Sequence, residues 1–253
     1  MGRARRPGAA LSGGPAAAGG PAAAVAGDPR RAVADALAAL ADVLRHHRDL
    51  GMTDLPLSDE YLLGPAQALE RQERALQGCR RCKLCEGRTH IVFGSGHPRA
   101  ELVVIGEGPG ADEDVQGKPF VGRAGQLLTK MLESVQLSRD EVYITNTVLC
   151  RPPGNRNPEP DELAACAPFL EAKLGVLRPK VVLALGSVAT QALLRTREPI
   201  GKLRGRVHPF GGAVLVPTFH PAFLLRNPGQ EYKRMAWEDL KLAKREYDAR
   251  RTR

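Results

Sequence analysis

Four short apolar segments alternate with amphipathic segments over residues 102–247 of this 253-residue chain. The apolar segments are predicted strands at Leu102–Gly106, Val142–Leu149, Val181–Gly186 and Val214–Phe219. Helices are predicted at Gly122–Val135, Asp161–Leu177, Ser187–Arg195 and Glu231–Tyr247. Strands and helices that alternate at this spacing form a parallel sheet covered on both faces. The sequence therefore predicts a three-layer α/β/α fold around a central four-stranded parallel sheet.

Polar side chains lie at the ends of all the predicted strands. They are Glu107, Asn146, Ser187 and His220, in chain order. In an open parallel sheet the ligand site lies at the carboxyl ends of the strands. We therefore expect these side chains to meet in one crevice.

Two separated pairs of cysteines predict a metal centre. Cys79 and Cys82 form a C-x-x-C pair, and Cys150 and Cys166 flank a Pro-rich loop. Together they offer a four-thiolate ligand set, as in structural zinc sites and iron–sulfur clusters. Cys85 lacks the Cys and Pro that a bacterial ferredoxin run would place after it, so it is interpreted as a spare thiol.

Composition favours a polyanionic partner in the cytosol. Lys and Arg exceed Asp and Glu by 37 to 28, and Arg is the more common cation, which suits phosphate recognition. The alternative is that GC-rich coding has produced an Arg-rich surface with no partner. No apolar run approaches the length of a membrane span, no secretory signal is recognisable, and cysteines in a reducing cytosol serve as ligands or free thiols. We expect a monomeric cytosolic protein.

The chain is expected to divide into four parts. Residues 1–28 are rich in Ala, Gly, Pro and Arg and predict a disordered arm. Residues 29–64 predict an amphipathic helix, with Val33, Leu37, Leu40 and Leu44 on one face, followed by a linker. A short helix at Ala66–Gln77 opens the main domain at residues 65–248, and residues 249–253 form a basic tail.

A glycine-rich turn follows the first predicted strand. In Gly106–Gly110 the glycines, Gly108 among them, let a ligand approach the backbone closely, and Glu107 lies at the tip. Such turns also occur for steric reasons alone. The acids of Asp112–Asp114, including Glu113, either cap the next segment or act on water or a base edge. Phe120, between glycines and a proline, is either a core residue or a platform on which a base stacks.

Two further segments carry groups suited to nucleic acid. The Asn146 amide can match the O4 acceptor and N3–H donor of uracil, although a strand-capping role is the alternative. The loop after it carries Arg151, Asn155 and Arg156, and its arginines are candidate phosphate ligands. After His220, an exposed Phe223, Leu224 or Leu225 would wedge into a duplex while Arg226 contacts phosphate; the alternative is a hydrophobic staple that begins a helix.

Taken in order, these motifs resemble the iron–sulfur uracil-DNA glycosylases of family 4. The resemblance covers roughly residues 66–247, and nothing in it covers residues 1–60. It is carried by Cys79-x-x-Cys82, Glu86–Thr89, Gly106–Gly110, Gly117–Gly122, Thr145-Asn146, Cys150–Arg156, Cys166 and His220–Arg226. A related branch traps its product through a His in a basic insertion after the second strand, and no His stands at Leu149–Asn155 here, so ordinary turnover is expected.

The resemblance implies a [4Fe–4S] cluster held by Cys79, Cys82, Cys150 and Cys166, with uracil-containing DNA, single- or double-stranded, as the substrate. It also implies roles in the pocket. Phe120 stacks on the flipped uracil, Asn146 reads its edge and His220 hydrogen-bonds O2. Glu107 polarises water or stabilises the sugar cation, with Glu113, Gly108 and Asn155 as further members of the pocket. Two other classes stay open: a non-catalytic iron–sulfur module that binds nucleic acid, and a nucleotide-dependent enzyme.

Overall fold

The computed structural model describes residues 33, 37, 38 and 64–251. The predicted arm at residues 1–28 lies outside the described residues. Of the helix and linker predicted at residues 29–64, only Val33, Leu37 and Ala38, which are helical, and Gly64 are described. All elements below belong to the unit that spans Leu57–Arg253. Residues 249 and 250 of the predicted basic tail continue its last helix.

The sheet has six strands and is mixed. They are β1 (Ser95–Gly96), β2 (Leu102–Gly106), β3 (Tyr143–Asn146), β4 (Val181–Leu185), β5 (His208–Phe210) and β6 (Ala213–Thr218). Their order is β1-β3-β2-β4-β6-β5. The central strands β3, β2, β4 and β6 pair in parallel, as predicted, while β1 and β5 pair antiparallel at the two edges. The prediction of a four-stranded sheet is corrected in this detail, because edge strands this short carry no readable periodicity.

Eight α-helices surround the sheet in the described part of the chain. They are α1 (Pro65–Ala75), α2 (Ala111–Gln116), α3 (Arg123–Glu133), α4 (Pro160–Leu177), α5 (Gly186–Leu194), α6 (Ile200–Leu203), α7 (Pro221–Arg226) and α8 (Gln230–Arg250). Two 3₁₀ turns, Lys83–Cys85 and Pro153–Asn155, lie in the connections. In the main domain, the predicted helices begin and end within three residues of the observed ones. The short α2 and α6 are additions, and α7 is the helix that was the alternative for the segment after His220. The second predicted strand ends at Asn146, three residues early.

Alternate residues of the central strands enter two separate hydrophobic layers. Leu102 and Val104 of β2 pack in the layer that includes residues of α3 and α8. Val103 and Ile105 of the same strand pack in the layer that includes residues of α1 and α4. All four are fully buried. A strand that is buried on both faces is apolar throughout, which explains why β2 and β4 could be predicted from the sequence. The three-layer prediction is confirmed.

No helix in the described ranges combines the length and the apolar character that crossing a membrane requires.

Candidate active site and cysteine cavity

A cavity of about 290 Å³ opens at the carboxyl ends of the parallel strands. Its walls come from the turn after β2, the loop before α3, the end of β3, the loop after Cys150 and the start of α7. It is lined by Glu107, Gly108, Pro109, Gly110, Glu113, Phe120, Ala124, Asn146, Pro152, Asn155, Arg156, Asn157, His220, Ala222 and Arg226. The strand-end rule therefore placed Glu107, Asn146 and His220 together. Ser187 does not line the cavity, because Gly186 already begins α5 and carries the chain away from it.

Asn146 supplies the most informative polar group of the cavity. Its side chain is 1 % exposed, and Oδ1 is buried without a hydrogen-bond partner. Leaving a buried acceptor unpaired costs about 1–3 kcal/mol. Such a group requires an explanation, and because Asn146 lines this cavity, a donor on a bound ligand is the expected partner.

Gly106 brings Asn146 and Phe120 together over the end of β2. A Cβ placed on Gly106 would lie 2.5 Å from Asn146 Oδ1 and 2.5 Å from Phe120 Cζ. The Phe120 ring is centred 5.7 Å from the His220 ring and inclined to it by 34°. Phe120 has φ 53°, which is rare for a residue with a side chain. A strained backbone that presents an aromatic ring to a cavity is typical of a binding site.

His220 is held as a neutral imidazole at the N-terminus of α7. Its Nδ1 accepts a hydrogen bond from the Ala222 amide at 3.1 Å. Burial, with the charge of Arg226 as a second cause, lowers the His220 pKa to about 4. Because Nδ1 is the acceptor, the ring proton of the neutral form lies on Nε2. His220 is therefore able to donate a hydrogen bond without carrying charge.

The two carboxylates of the cavity have different surroundings. Glu113 Oε1 accepts the amides of Val121 and Gly122, both at 2.9 Å, and Oε2 accepts the amide of Gly110 at 3.1 Å. Its oxygens are thus committed to three backbone groups, and its role is to join the turn after β2 to the loop that carries Phe120. The Glu107 pKa is raised by burial and lowered by Arg226, the smaller effect. Within the described chain, the Glu107 side chain accepts no direct hydrogen bond, which leaves it free for a ligand or water.

The loop after Cys150 contributes one wall, and each of its arginines makes a side-chain hydrogen bond within the protein. Arg151 Nε donates to Asn155 Oδ1 at 2.7 Å, and Arg151 does not line the cavity. Arg156 lines the cavity but also makes a bidentate pair with the buried Glu162, at 2.8 and 2.6 Å. Both arginines therefore help to shape this loop.

The segment after His220 is a helix whose apolar side chains divide between core and surface. Leu224 is 3 % exposed and packs in the core, so the prediction of Leu224 as an exposed wedge is wrong. Phe223 stacks on Phe219 with ring centres 5.1 Å apart. Leu225 is 40 % exposed, because helical periodicity turns it away from the face that Leu224 buries. Leu225 is the member of the predicted wedge that remains available, and Arg226 lies beside it in the cavity wall.

The cysteines meet at a second, narrow cavity. Cys79, Cys82, Cys150 and Cys166 line it, together with Leu76, Arg81, Arg88, Ile91, Leu149, Ala165 and Phe169. Burial raises the pKa of the Cys150 thiol. It raises the pKa of the Cys166 thiol to about 11. Arg88 donates to Cys150 Sγ at 3.4 Å. Cys85 does not line it. Among the described His, Cys, Asp and Glu residues, no three are arranged around a single metal ion.

Comparison with known proteins decides the family. The profile of the uracil DNA glycosylase superfamily matches residues 93–241. A type-4 uracil-DNA glycosylase of Thermotoga maritima is 43 % identical over 180 residues, covering 70 % of this chain and 94 % of the relative. One from Sulfurisphaera tokodaii is 40 % identical over 183 residues, covering 69 % and 82 %. A type-5 uracil-DNA glycosylase of Thermus thermophilus is 35 % identical over 178 residues, covering 61 % and 79 %.

The chain belongs to the uracil DNA glycosylase superfamily, in its type-4 branch. The resemblance seen in the motifs is confirmed. The matched region of this glycosylase runs from before β1 into α8, and all the predicted pocket residues lie within it.

Sequence reasoning missed Arg139, Ala124 and Asn157 of this glycosylase. Ala124 and Asn157 line the cavity, but neither side chain has a pattern that distinguishes it from its neighbours. Arg139 donates to the carbonyls of Pro119 at 2.9 Å and Phe120 at 3.0 Å. These contacts join residues about twenty positions apart and are made to backbone atoms, so no local sequence motif predicts them.

Proposed function

We propose that this protein removes uracil from DNA by hydrolysing its N-glycosidic bond, which leaves an abasic site and starts base excision repair. The observation that carries the proposal is the unpaired, buried Oδ1 of Asn146 in the same cavity as the neutral His220. Type-4 relatives that bear the name uracil-DNA glycosylase support it.

Recognition rests on the Asn146 amide. Its Oδ1 accepts the N3–H of uracil, and its Nδ2 donates to O4. At these positions cytosine presents an amino donor and an unprotonated ring nitrogen. The Nδ2 donor of Asn146 would then face a donor, and its Oδ1 acceptor would face an acceptor. A site built on paired hydrogen bonds rejects the wrong ligand strongly, because its own buried groups are then unpaired. The Phe120 ring stacks on the face of the base, with Gly108, Glu113 and Asn155 completing the pocket.

Cleavage places an electron pair on the leaving base. As the bond from C1′ to N1 breaks, the pair moves into the uracil ring and negative charge builds on O2, while the sugar becomes cationic. His220 donates its Nε2 proton in a hydrogen bond toward O2 and holds that charge without transferring a proton. The anionic form of Glu107 stabilises the sugar cation and orients the water. As the water oxygen bonds to C1′, Glu107 accepts the proton that the water loses, and its raised pKa makes it a better base.

We also propose that Cys79, Cys82, Cys150 and Cys166 hold a [4Fe–4S] cluster. The cavity offers an all-thiol donor set with no carboxylate or imidazole, and Arg81 and Arg88 in its wall would offset the cluster's negative charge. When bound, the cluster supplies no step of the hydrolysis and acts as a structural cross-link. Zinc is the alternative, and the visible absorption of anaerobically purified protein distinguishes the two metals.

The DNA path is proposed from the groups at the cavity mouth. Arg226 and, beyond the wall, Arg151 contact phosphates, and Leu225 enters the space that the extruded nucleotide leaves. Unstacking a base costs about a few kcal/mol, which such contacts offset. The partner is uracil-containing DNA, single- or double-stranded, and the protein is expected to act as a monomer in the cytosol.

One assay tests the function. The purified protein is incubated with oligonucleotides that contain a single uracil, cytosine or thymine, and alkali then cleaves any abasic site. We expect scission only at uracil, with the His220→Ala rate lower by about 100-fold to 1000-fold in single turnover, because one donor to a developing anion is worth that much. Binding of the DNA without scission would favour the non-catalytic binding module. A His220→Ala rate equal to the wild-type rate would contradict the catalytic role proposed for His220.

A further inference from the structure

The loop that carries Phe120 is held between a cation and an anion. On one side, the Arg139 guanidinium donates to Pro119 O at 2.9 Å and to Phe120 O at 3.0 Å. On the other side, Glu113 accepts the amides of Val121 and Gly122, both at 2.9 Å. The peptide between Phe120 and Val121 is therefore bound at both its oxygen and its nitrogen.

This arrangement fixes both backbone dihedral angles of Phe120. The peptide before it is held through Pro119 O, and the peptide after it is held through Phe120 O and the Val121 amide. Phe120 needs such support because its φ of 53° is unfavourable for a residue with a side chain. Strained conformations persist where the surrounding structure determines them several times over.

Arg139 itself lies outside the cavity wall. It lies half-buried in the connection between α3 and β3 and does not line the cavity that Phe120 and Asn146 share. Its further contact, at 3.4 Å, is to Thr129 Oγ1 of α3, which does not line that cavity either. Any effect of Arg139 on the base must therefore pass through the loop it holds.

We infer that Arg139 is a positioning residue for base stacking: with Glu113 it forms a clamp that keeps the Phe120 ring over the base. The inference rests on the proposed function and deepens it. A planar guanidinium reaches two consecutive carbonyls at once, whereas a lysine ammonium at the same place cannot reproduce that fork.

The test is a double-mutant cycle. Arg139→Gln and Arg139→Lys are made in the wild-type chain and in Phe120→Ala. Thr129→Val is the matched control, since it removes the longer third contact of Arg139 and a hydrogen bond within α3 to Gly125 O, but leaves both contacts of Arg139 to the Phe120 loop. The single-turnover rate at saturating enzyme and the Kd for product DNA with an abasic site are measured for each, with thermal unfolding to verify folding. Displacing a reacting group by about 1 Å costs about 100-fold in rate, which is the loss expected for Arg139→Gln.

Positioning and simple destabilisation give different results. A positioning role predicts a smaller loss for Arg139→Lys, a rate near wild type for Thr129→Val, unchanged affinity for abasic DNA, and no further loss when Arg139→Gln is added to Phe120→Ala. The inference is overturned if the full loss persists in the Phe120→Ala background or if Arg139→Gln cleaves at the wild-type rate.

A structural readout separates this inference from the proposed function. In a crystal structure of Arg139→Gln, Phe120 is expected to leave the left-handed region, and a φ still near 53° would overturn the clamp whatever the enzyme does to uracil. Failure of the wild-type protein to cleave any uracil-containing DNA would instead count against the proposed function alone.

Discussion

His220 acts in the proposed reaction as a neutral donor, and its surroundings enforce that state. The Ala222 amide occupies Nδ1, while burial and Arg226 oppose a second proton. A neutral imidazole is the better match for a base that leaves as an anion, because a positive charge would be costly in a cavity this enclosed before the anion forms.

The same protonation state makes stability depend on pH. In the unfolded chain His220 takes up a proton near its ordinary pKa of 6.5, whereas in the folded protein it does so only near about 4. Between these values the unfolded state binds more protons, so the free energy of unfolding decreases as the pH falls from 6.5 toward 4. At about 1.4 kcal/mol per pKa unit, the loss reaches at most about 3 kcal/mol.

Urea unfolding at pH 7 and pH 4.5 measures this loss. In His220→Gln, which cannot titrate, the decrease between the two pH values should be smaller than in the wild type by up to that amount. An identical decrease in both proteins would show that His220 is protonated normally in the fold.

Arg156 and Arg226 were both predicted to bind phosphate, and the structure gives them different surroundings. Arg156 makes a bidentate pair with the buried Glu162, so Arg156→Gln should lower the melting temperature, since it leaves this carboxylate with only the Glu159 amide and the more distant Lys83 as partners. Arg226 lies at the cavity wall, and Arg226→Gln should weaken DNA binding and reduce the slope of log K against log salt by about one. Affinity titrations at several salt concentrations measure the slopes. A larger slope change for Arg156→Gln than for Arg226→Gln would reverse these assignments.

The site residues that the sequence predicted lie at strand ends, whereas the contacts that it did not predict join backbone and side-chain atoms that are distant in sequence. Asn146 and His220 follow from the position of strand ends, which periodicity locates. Glu113 was expected near the ligand or as a cap, but that it accepts the amides of Val121 and Gly122 could not be foreseen. Arg139 contacts backbone atoms across a long sequence separation, and only the folded chain reveals such a partner.

At the scale of elements, the parallel strands were predictable and the edges were not. β2 and β4 are buried on both faces and read as unbroken apolar runs. β1 has two residues and β5 has three, one of them Pro209, so neither leaves a pattern. The short α7 was interpreted through its exposed apolar residues, yet its helical turn directs Leu224 into the core.

The first turn of α3 packs closely against the backbone of the Phe120 loop at Gly125. A Cβ on Gly125 would lie 1.9 Å from Phe120 O and 2.0 Å from its carbonyl carbon, so the helix and the loop can approach this closely only with glycine. Gly125→Ala must push the two elements apart. We expect a loss of stability of about 1–3 kcal/mol, as for other overpacked sites, and a rate reduced by up to about 100-fold.

Gly175→Ala in α4 is the matched control, because nothing lies within 4 Å of its added Cβ. In an exposed helical position this change should raise stability by about 0.5–1 kcal/mol and leave the rate unchanged. Thermal unfolding and single-turnover cleavage measure both effects. A Gly125→Ala protein as active and stable as Gly175→Ala would contradict the close approach.

At the scale of the whole molecule, α4 links the cysteine cavity to the proposed uracil pocket at the carboxyl ends of the strands. It carries Cys166, and one turn earlier Glu162 holds Arg156 in the pocket wall. Farther along, the buried Lys173 donates to Phe93 O and to Thr145 Oγ1, beside Asn146 in β3. The segment between Cys150 and Cys166 supplies a wall of the pocket and is attached to the cysteine cavity at both ends.

This connection predicts how the protein responds to loss of its proposed cluster. Cys166→Ser should abolish the visible absorption, lower the melting temperature and weaken DNA binding by about tenfold, or about 1.4 kcal/mol, because the loop that carries Asn155 and Arg156 loses its anchor. The single-turnover rate at saturating enzyme should fall less, since Asn146 and His220 are positioned by the sheet. Cys85→Ser is the control, as Cys85 does not line the cavity, and it should match the wild type. Iron content, absorption, unfolding and DNA titration measure these effects. A Cys166→Ser protein that keeps its iron and its affinity for DNA would contradict the proposed link between the cysteine cavity and DNA binding.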